Sequence, residues 1–532
     1  MLKLNNLRAP LDDTPEALEV RILHKLKLPR EQLLSFRVSR RSVDARDKRD
    51  VHFVLSVDLV LKDENLARRK CRDLVPVHPA PAVILPKVRF PHPPLVAGAG
   101  PAGLFAALTL ARAGAAPVLI ERGRPVEERT EDVRLTRETG ELDPESNVQF
   151  GEGGAGAFSD GKLTCGIKNP HVRTVLEAFV AHGAPEEILI DQKPHIGTDL
   201  LKNVVASIRK EILALGGSVY FGTRLEELIL RAGQVEGAIV SCGGLRREIR
   251  TETLLLAIGH SARDTAQTLF SQGMRMEPKP FAMGVRIEHP REWIDRSQYG
   301  SFAGHPALGA ASYKLVFHTP DGRGVYTFCM CPGGEVIAAA SQPGGIVTNG
   351  MSLHARNGRN SNAALLVGVR PEDFGDTHPL AGFVLQRSIE KAAFRAGGGG
   401  LRAPAQRVED FLNDRETSHF GEVLPSYRPG VTPGDLRAVL PTFMTNNLKS
   451  GIRGMNAMLE GFAHPDAVIT GPETRSSSPV RMTRNALGEA EDIRGLFPAG
   501  EGAGYAGGIV SAAVDGISAA LQAIQSIPPR PM

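Results

Sequence analysis

Gly98, Gly100 and Gly103 stand in G-x-G-x-x-G spacing after the apolar run Leu95-Val96-Ala97, and an Ala- and Leu-rich stretch follows as far as Gly114. Glycines at this spacing bind anions without side chains. The first allows a tight strand-to-helix turn, the second lets backbone approach a pyrophosphate, and the third lets helix and strand close up while the helix N-terminus faces the negative charge. Pro101 and Ala102 suit the first helical turn, where the missing proline N–H is not needed. Val118-Leu119-Ile120 predicts the next strand, ending in Glu121, whose carboxylate is placed to take the ribose hydroxyls of an adenosine. This βαβ fingerprint alone does not separate NAD from FAD.

The distant C-terminal segment Gly495 to Ile517 separates them. Gly495-Leu496-Phe497-Pro498-Ala499-Gly500-Glu501 reads as a strand running into a carboxylate, followed by a glycine-rich turn and a helical stretch from about Gly508 and Ile509 to Ile524. Glu501 is placed to hold ribityl hydroxyls, and the helix N-terminus lends positive charge to a ring edge that becomes anionic on reduction. The two ends of the chain are expected to meet around one FAD.

These segments resemble the FAD-dependent dehydrogenases of the glutathione-reductase-type superfamily, in the branch with a single nucleotide-binding domain. The similarity is nearer to a group of predicted FAD-dependent dehydrogenases, and it runs through RRSVDAR (40–46), NVQFGEGGAGAFSDGKL (147–163), LLAIGHSARDT (255–265), MGVRIEHP (283–290) and FCMCPGGEV (328–336). The resemblance implies FAD binding and a redox activity without naming a substrate. Glu501 stands where the wider superfamily usually has aspartate. The Y-x-F-x-x-C-P-G-G pattern also resembles the substrate-domain strand of geranylgeranyl-reductase-like flavoproteins.

Further residues fall into place around that expectation. The loop Gly151 to Lys162 exposes successive backbone N–H groups able to approach a cofactor, with Gly154 and Gly156 at its centre and Lys162 a candidate to stabilise charge on reduced flavin. Arg122 and Arg129 are expected on phosphate or adenosine, while Arg124 reads as a solvated turn. Gly259, at the end of Thr253 to Gly259, belongs to the strand-to-glycine element that the superfamily closes on the adenosine side. His260, Ser261, Arg263 and Asp264 read as structural polar contacts. Cys329 and Cys331 lie two apart, which on a strand puts both thiols on one face; a redox dithiol is one reading, and the preferred one is a pair of small hydrophobes in a strand lining the pocket. No side chain is assigned a catalytic role, and no Cys/His spacing predicts a metal site.

The frame for these residues is α/β: a Rossmann-like three-layer FAD-binding domain, an inserted α+β substrate domain and a small N-terminal α/β module. The expected boundaries are 1–92 for the module, 93–280 and 441–532 for the two parts of the FAD-binding domain, and 281–440 for the insert. A Pro-rich segment (75–94) separates the module from the first Rossmann strand. In the module, RRSVDARDKRD alternates its charges and lacks aromatics, which suits a solvated hairpin turn better than an RNA surface.

At 532 residues, 42% hydrophobic and 23% charged, with a formal net charge of +4, the chain has the composition of a globular protein with no demand for an acidic partner. No run of apolar residues is long enough for a membrane span, and five scattered cysteines make no disulfide framework. A cytoplasmic oxidoreductase is expected, exchanging hydride between flavin and a small organic substrate, with a transient electron donor or acceptor. Since no second complete βαβ fingerprint appears, no dedicated NAD(P)H domain is expected. The alternatives are an RNA-modifying flavoprotein and a non-catalytic flavin-binding interaction protein.

Overall fold

The computed structural model describes residues 1–77 and 85–527. Part of the Pro-rich segment therefore lies outside the described residues.

Five three-residue strands make a parallel sheet in the order Leu496–Pro498, Leu254–Leu256, Leu95–Ala97, Val118–Ile120, Ser218–Tyr220. All except the outermost, Ser218–Tyr220, are almost wholly buried, as befits a parallel sheet covered on both faces. On one face lie helices Pro101–Arg112, Thr198–Ala214 and Ile509–Gln525. On the other lies an antiparallel meander of Thr223–Arg231, Gln234–Cys242 and Leu245–Arg250. This is the three-layer α/β arrangement. The chain leaves the central strand Leu95–Ala97 to one side and returns to add Leu254–Leu256 and Leu496–Pro498 on the other, so the strand order reverses beside Leu95–Ala97. Ligands of open α/β sheets bind in the crevice at such a reversal.

The insert is a seven-stranded sheet ordered Val316–His318, Gly324–Cys331, Asn360–Val369, Phe281–Pro290, Val468–Glu473, Ala403–Arg407, Val431–Pro433. Neighbours are antiparallel except the last two. The expected end of the insert at residue 440 is corrected here. Helix Thr442–Asn456 packs on this sheet's core, and Val468–Glu473 pairs directly with its central strand, which carries the insert past residue 470. Val468–Glu473 is buried at every position, so it lacks the alternation that marks a half-exposed strand in sequence. The chain passes between the two sheets along one antiparallel ribbon of Met276–Pro278 and Val480–Met482.

The N-terminal residues form a four-stranded antiparallel sheet, Leu33–Asp44, His52–Leu61, Leu2–Ala9, Leu74–Pro76, with helices Pro15–Leu26 and Glu64–Lys70 and their own apolar core. The charged run does form the hairpin connection after Asp44. The module is docked rather than free. Arg41 exchanges backbone hydrogen bonds with Ile190 and Gln192 and pairs with Asp191 (Nε to Oδ1 2.7 Å), and Leu11 and Val51 join the core of the insert. Among the described residues no helix is long and apolar enough to cross a membrane.

Candidate functional site

A cleft of about 1650 Å³, counting its open mouth, lies at the carboxyl ends of the parallel strands and under the inserted sheet. Every residue expected to contact a cofactor lines it except Gly103 and Arg129. The turn residues Gly98, Gly100, Pro101 and Ala102, the loop residues Gly154, Gly156 and Lys162, and Gly259 meet Gly500, Glu501, Gly508 and Ile509 from the far end of the sequence.

The glycines of the fingerprint divide by what surrounds them. A Cβ on Gly103 would lie 1.7 Å from the carbonyl oxygen of Gly98, so this position closes the helix onto the strand end. A Cβ on Gly100 would meet only the Cα of Gly154, at 3.8 Å, and Gly100 has an ordinary φ of −72°. Its backbone therefore faces open cleft. Helices Pro101–Arg112 and Ile509–Gln525 both start at the cleft wall, and they cross so tightly that a Cβ on Gly516 would lie 2.0 Å from the Ala102 carbonyl oxygen.

Glu121 is buried and works as a tie. Its carboxylate accepts from the N–H groups of Ala99 (2.7 Å), Gly123 (2.9 Å) and Gly151 (2.9 Å), fastening the glycine turn to the 151–162 loop. Arg129 is corrected from a phosphate contact to a clamp beneath that loop. Fully buried, it donates to the carbonyls of Asn147, Val148, Gly151 and Glu152, and burial pushes its pKa down to about 10. Arg122 does reach the cleft, but its guanidinium stacks 4.0 Å from the Phe150 ring centre and pairs with Glu145 and Asp264. Arg124 pairs with Asp132 on a half-exposed turn.

At the other end of the chain, Asp515 accepts from the Gly500 N–H (2.7 Å) and from Arg484 (3.0 Å), which fixes the turn leading to Glu501. Burial lifts the Glu501 carboxyl to about 8, against the opposing pull of the Lys279 ammonium. Lys162 lies 4.0 Å from the buried carboxylate of Asp160, which Arg356 also pairs.

Where the insert packs on the parallel-sheet domain, buried ion clusters that sequence patterns did not reveal stand behind the cleft and reach its lining through Glu473 and Arg475. Arg263, Glu390 and Arg475 form a triad: Arg263 donates to both Glu390 oxygens (2.9 and 2.7 Å), and Arg475 donates to the same two (3.1 and 3.2 Å). The two guanidinium groups hold Glu390 down to about 2 although burial alone would raise it. The same guanidinium groups, after burial itself, push neighbouring His260 down to about 3, so its imidazole is neutral. Arg286, from the central inserted strand, pairs with Glu473 and donates to the Cys329 carbonyl (2.9 Å) and to Asn349 and Asn362 (2.9 Å each). Phe328 and Cys329 line the cleft, in the strand expected to line the pocket, whereas Gln149, Glu473, Arg475 and Ser476 line it without having been expected there. The one sequence signal for these four was that Gln149 lies inside a resembling motif.

An FAD fits this donor set. Backbone approaches the space at Gly100, and added Cβ atoms at Gly259, Gly507 and Gly508 would meet nothing within 4 Å. Residues 280–476 match the family described as FAD-dependent protein, C-terminal domain-like, and residues 1–60 match a domain of unknown function. The chain is an α/β flavoprotein whose cofactor is FAD. It is 46% identical over 529 residues to an uncharacterized protein of Clostridium beijerinckii, covering 98% of both chains, and it belongs to the same family. Among solved structures it is similar to a geranylgeranyl bacteriochlorophyll reductase-like protein of Thermoplasma acidophilum (11% identity, 82% and 79% of the two chains, TM-score 0.32). It is also similar to a chain of E. coli quinol fumarate reductase (12%, 83% and 71%, TM-score 0.36). At those scores neither likeness bears on the chemistry.

Proposed function

We propose that this protein is an FAD-dependent oxidoreductase of the glutathione-reductase-type, single-nucleotide-domain branch, acting on a small organic molecule held between cofactor and insert. One observation carries the reading: segments from opposite ends of the chain, each suited to a different part of FAD, line a single cleft that a second domain covers. The Gly98 to Gly103 turn, Glu121 and the 151–162 loop would hold the adenosine and pyrophosphate portions. Gly500, Glu501 and the helix start at Gly508 and Ile509 would hold the ribityl chain. When bound, FAD supplies two-electron transfer at the N5 edge of its ring.

The protein's own groups orient, screen and charge that space. The neutral His260 can donate or accept one hydrogen bond without bringing a full charge. Lys162 offers a cation from the loop side. Arg475, held by Glu390, lines the insert side of the cleft together with Glu473, so that side carries fixed, paired charge. A small-molecule substrate, a transient electron partner and a cytoplasmic location belong to this reading.

The test is anaerobic mixing of the yellow protein with a panel of candidate reductants, scored by bleaching of the flavin absorbance, with Gly100→Ala as the control. Gly100→Ala leaves the apoprotein fold intact and lowers FAD affinity about tenfold or more, because a methyl then occupies the open approach, equivalent to about 1.4 kcal/mol. Full FAD affinity in that variant would overturn the assignment of the cleft. Rapid saturable reduction by NADH or NADPH would move the reading to a nicotinamide-dependent reductase.

A further inference from the structure

The strand Gly324–Cys331 is irregular where it meets the cleft. Phe328 pairs with Ala364 and Cys331 pairs with Asn362, so one extra residue is accommodated between them, and Cys329 takes the left-handed region at φ 41°. A β-branched or bulky side chain would be strained there, and cysteine itself is not a residue that favours the region. Such bulges re-aim side chains beside functional sites. Here Cys329 lines the cleft and is partly accessible, whereas Cys331 is fully buried behind it.

Cys331 donates from Sγ to the Cys329 carbonyl (3.3 Å), so the buried thiol is fastened to the backbone of the residue that lines the cleft. The Arg286 guanidinium lies 3.9 Å from Cys331 Sγ. The neighbouring Cys331 thiol, then Arg286 and Lys162, lower the Cys329 thiol against burial and the opposing Asp160, while Cys331 is pushed up from the ordinary thiol value. Glu473 and Glu501 are the other acidic groups that feel Cys329. One thiol is set to ionise first at the cleft wall, and the second lies buried two residues on, hydrogen-bonded to the first residue's carbonyl.

We propose that Cys329 and Cys331 are a two-electron dithiol couple opening on the cleft, with Cys329 attacking, Cys331 resolving, and a low-molecular-weight disulfide as the substrate. The Cys329 thiolate attacks one sulfur of R–S–S–R′, a Cys329–S–S–R bond forms, and R′–S⁻ leaves with the electron pair of the broken bond. Cys331 passes its proton to that leaving thiolate and attacks the Cys329 sulfur. R–S⁻ then departs and takes from solvent the proton that Cys329 had released. Dithiol plus disulfide become an intramolecular disulfide plus two thiols, and excess low-molecular-weight thiol drives the same steps backwards. A bridge across so short a span is strained and therefore readily reversed, as catalytic bridges are. The proposal is separate from the hydride reading, because it needs only the two thiols.

The experiment incubates the full-length, FAD-loaded protein with glutathione disulfide and maps the cysteines by peptide mass spectrometry. The peptide holding both residues should lose two hydrogen atoms in the wild type. Cys331→Ser should accumulate a glutathione adduct on Cys329, and Cys329→Ser should give neither product. In a separate unoxidised sample at pH 7, iodoacetamide should alkylate Cys329 at least tenfold faster than the exposed Cys242. Cysteines 329 and 331 remaining reduced while Cys242 is glutathionylated would overturn the proposal, as would alkylation of Cys329 no faster than Cys242. FAD content is read on the same samples, so loss of the cofactor reading and loss of the dithiol reading are separately visible. The wild-type measurements stand even if a variant fails to fold.

Discussion

The wall that the parallel sheet gives to the cleft and the wall that the insert gives are made of opposite materials. The first is backbone: glycine turns, two helix starts and N–H groups gathered by Glu121. The second is backed by charge: Glu473 and Arg475 line it, with Arg286 and Glu390 of the insert and Arg263 of the parallel-sheet domain paired behind them, all nearly excluded from solvent. A backbone wall depends on the absence of side-chain atoms, so its errors are steric. A wall of buried ions depends on complete pairing, so its errors are electrostatic, and removing one partner strands the rest.

Substitutions that exploit this contrast should order accordingly. Gly103→Ala forces a methyl to within bonding distance of the Gly98 oxygen and should cost more than about 4 kcal/mol or prevent folding. Denaturant unfolding of the apoprotein checks this, and the outcome should be far from that of Gly100→Ala, three residues away. On the ionic wall, Glu390→Gln leaves two buried guanidinium groups facing each other and should destabilise by about 3–5 kcal/mol. A loss below about 1 kcal/mol would mean that solvent reaches the triad.

A smaller effect separates the walls by pH. The folded apoprotein holds a proton on Glu501 up to about pH 8, whereas an unfolded glutamate loses it near about 4.3. Between those values the folded form binds more protons, so this group's contribution makes stability fall as pH rises. Glu501→Gln should therefore gain on the wild type in melting temperature as pH climbs from about 4.3 to 8, and parallel curves would refute the raised carboxyl. The mildest expectation concerns the docked module. Arg41→Ala removes a half-exposed pair with Asp191 and should cost less than about 1 kcal/mol, with FAD content unchanged because the residues lining the cleft begin at Ala97.

The backbone wall was legible in sequence because glycine spacing is local: Gly98, Gly100, Gly103 and the strand ending at Glu121 lie within one βαβ unit. Glu501 and Gly508 were legible because a strand, a carboxylate and a glycine turn again follow one another directly. The ionic wall was not, since Arg263, Glu390 and Arg475 are brought together only by the packing of the insert on the parallel sheet. Arg129 shows the converse failure. An arginine near a phosphate-binding turn reads as a phosphate ligand, but its four carbonyl acceptors come from a loop whose path no local pattern reveals. The insert's true extent was hidden because Val468–Glu473 is buried on both faces and carries no periodic mark.

The pairing of Leu496–Pro498 with Leu254–Leu256 sets an order of assembly on the ribosome. The central strand and its glycine turn are made early, and the whole seven-stranded insert must be synthesised before the chain returns along Val480–Met482 to supply the sheet's final edge. Until then Leu254–Leu256 is an unpaired edge of a half-finished sheet, the kind of surface that invites wrong partners during slow, long-range folding. The last pieces of the site to be translated, Gly500, Glu501 and the helix start at Gly508, come with the strand that covers that edge.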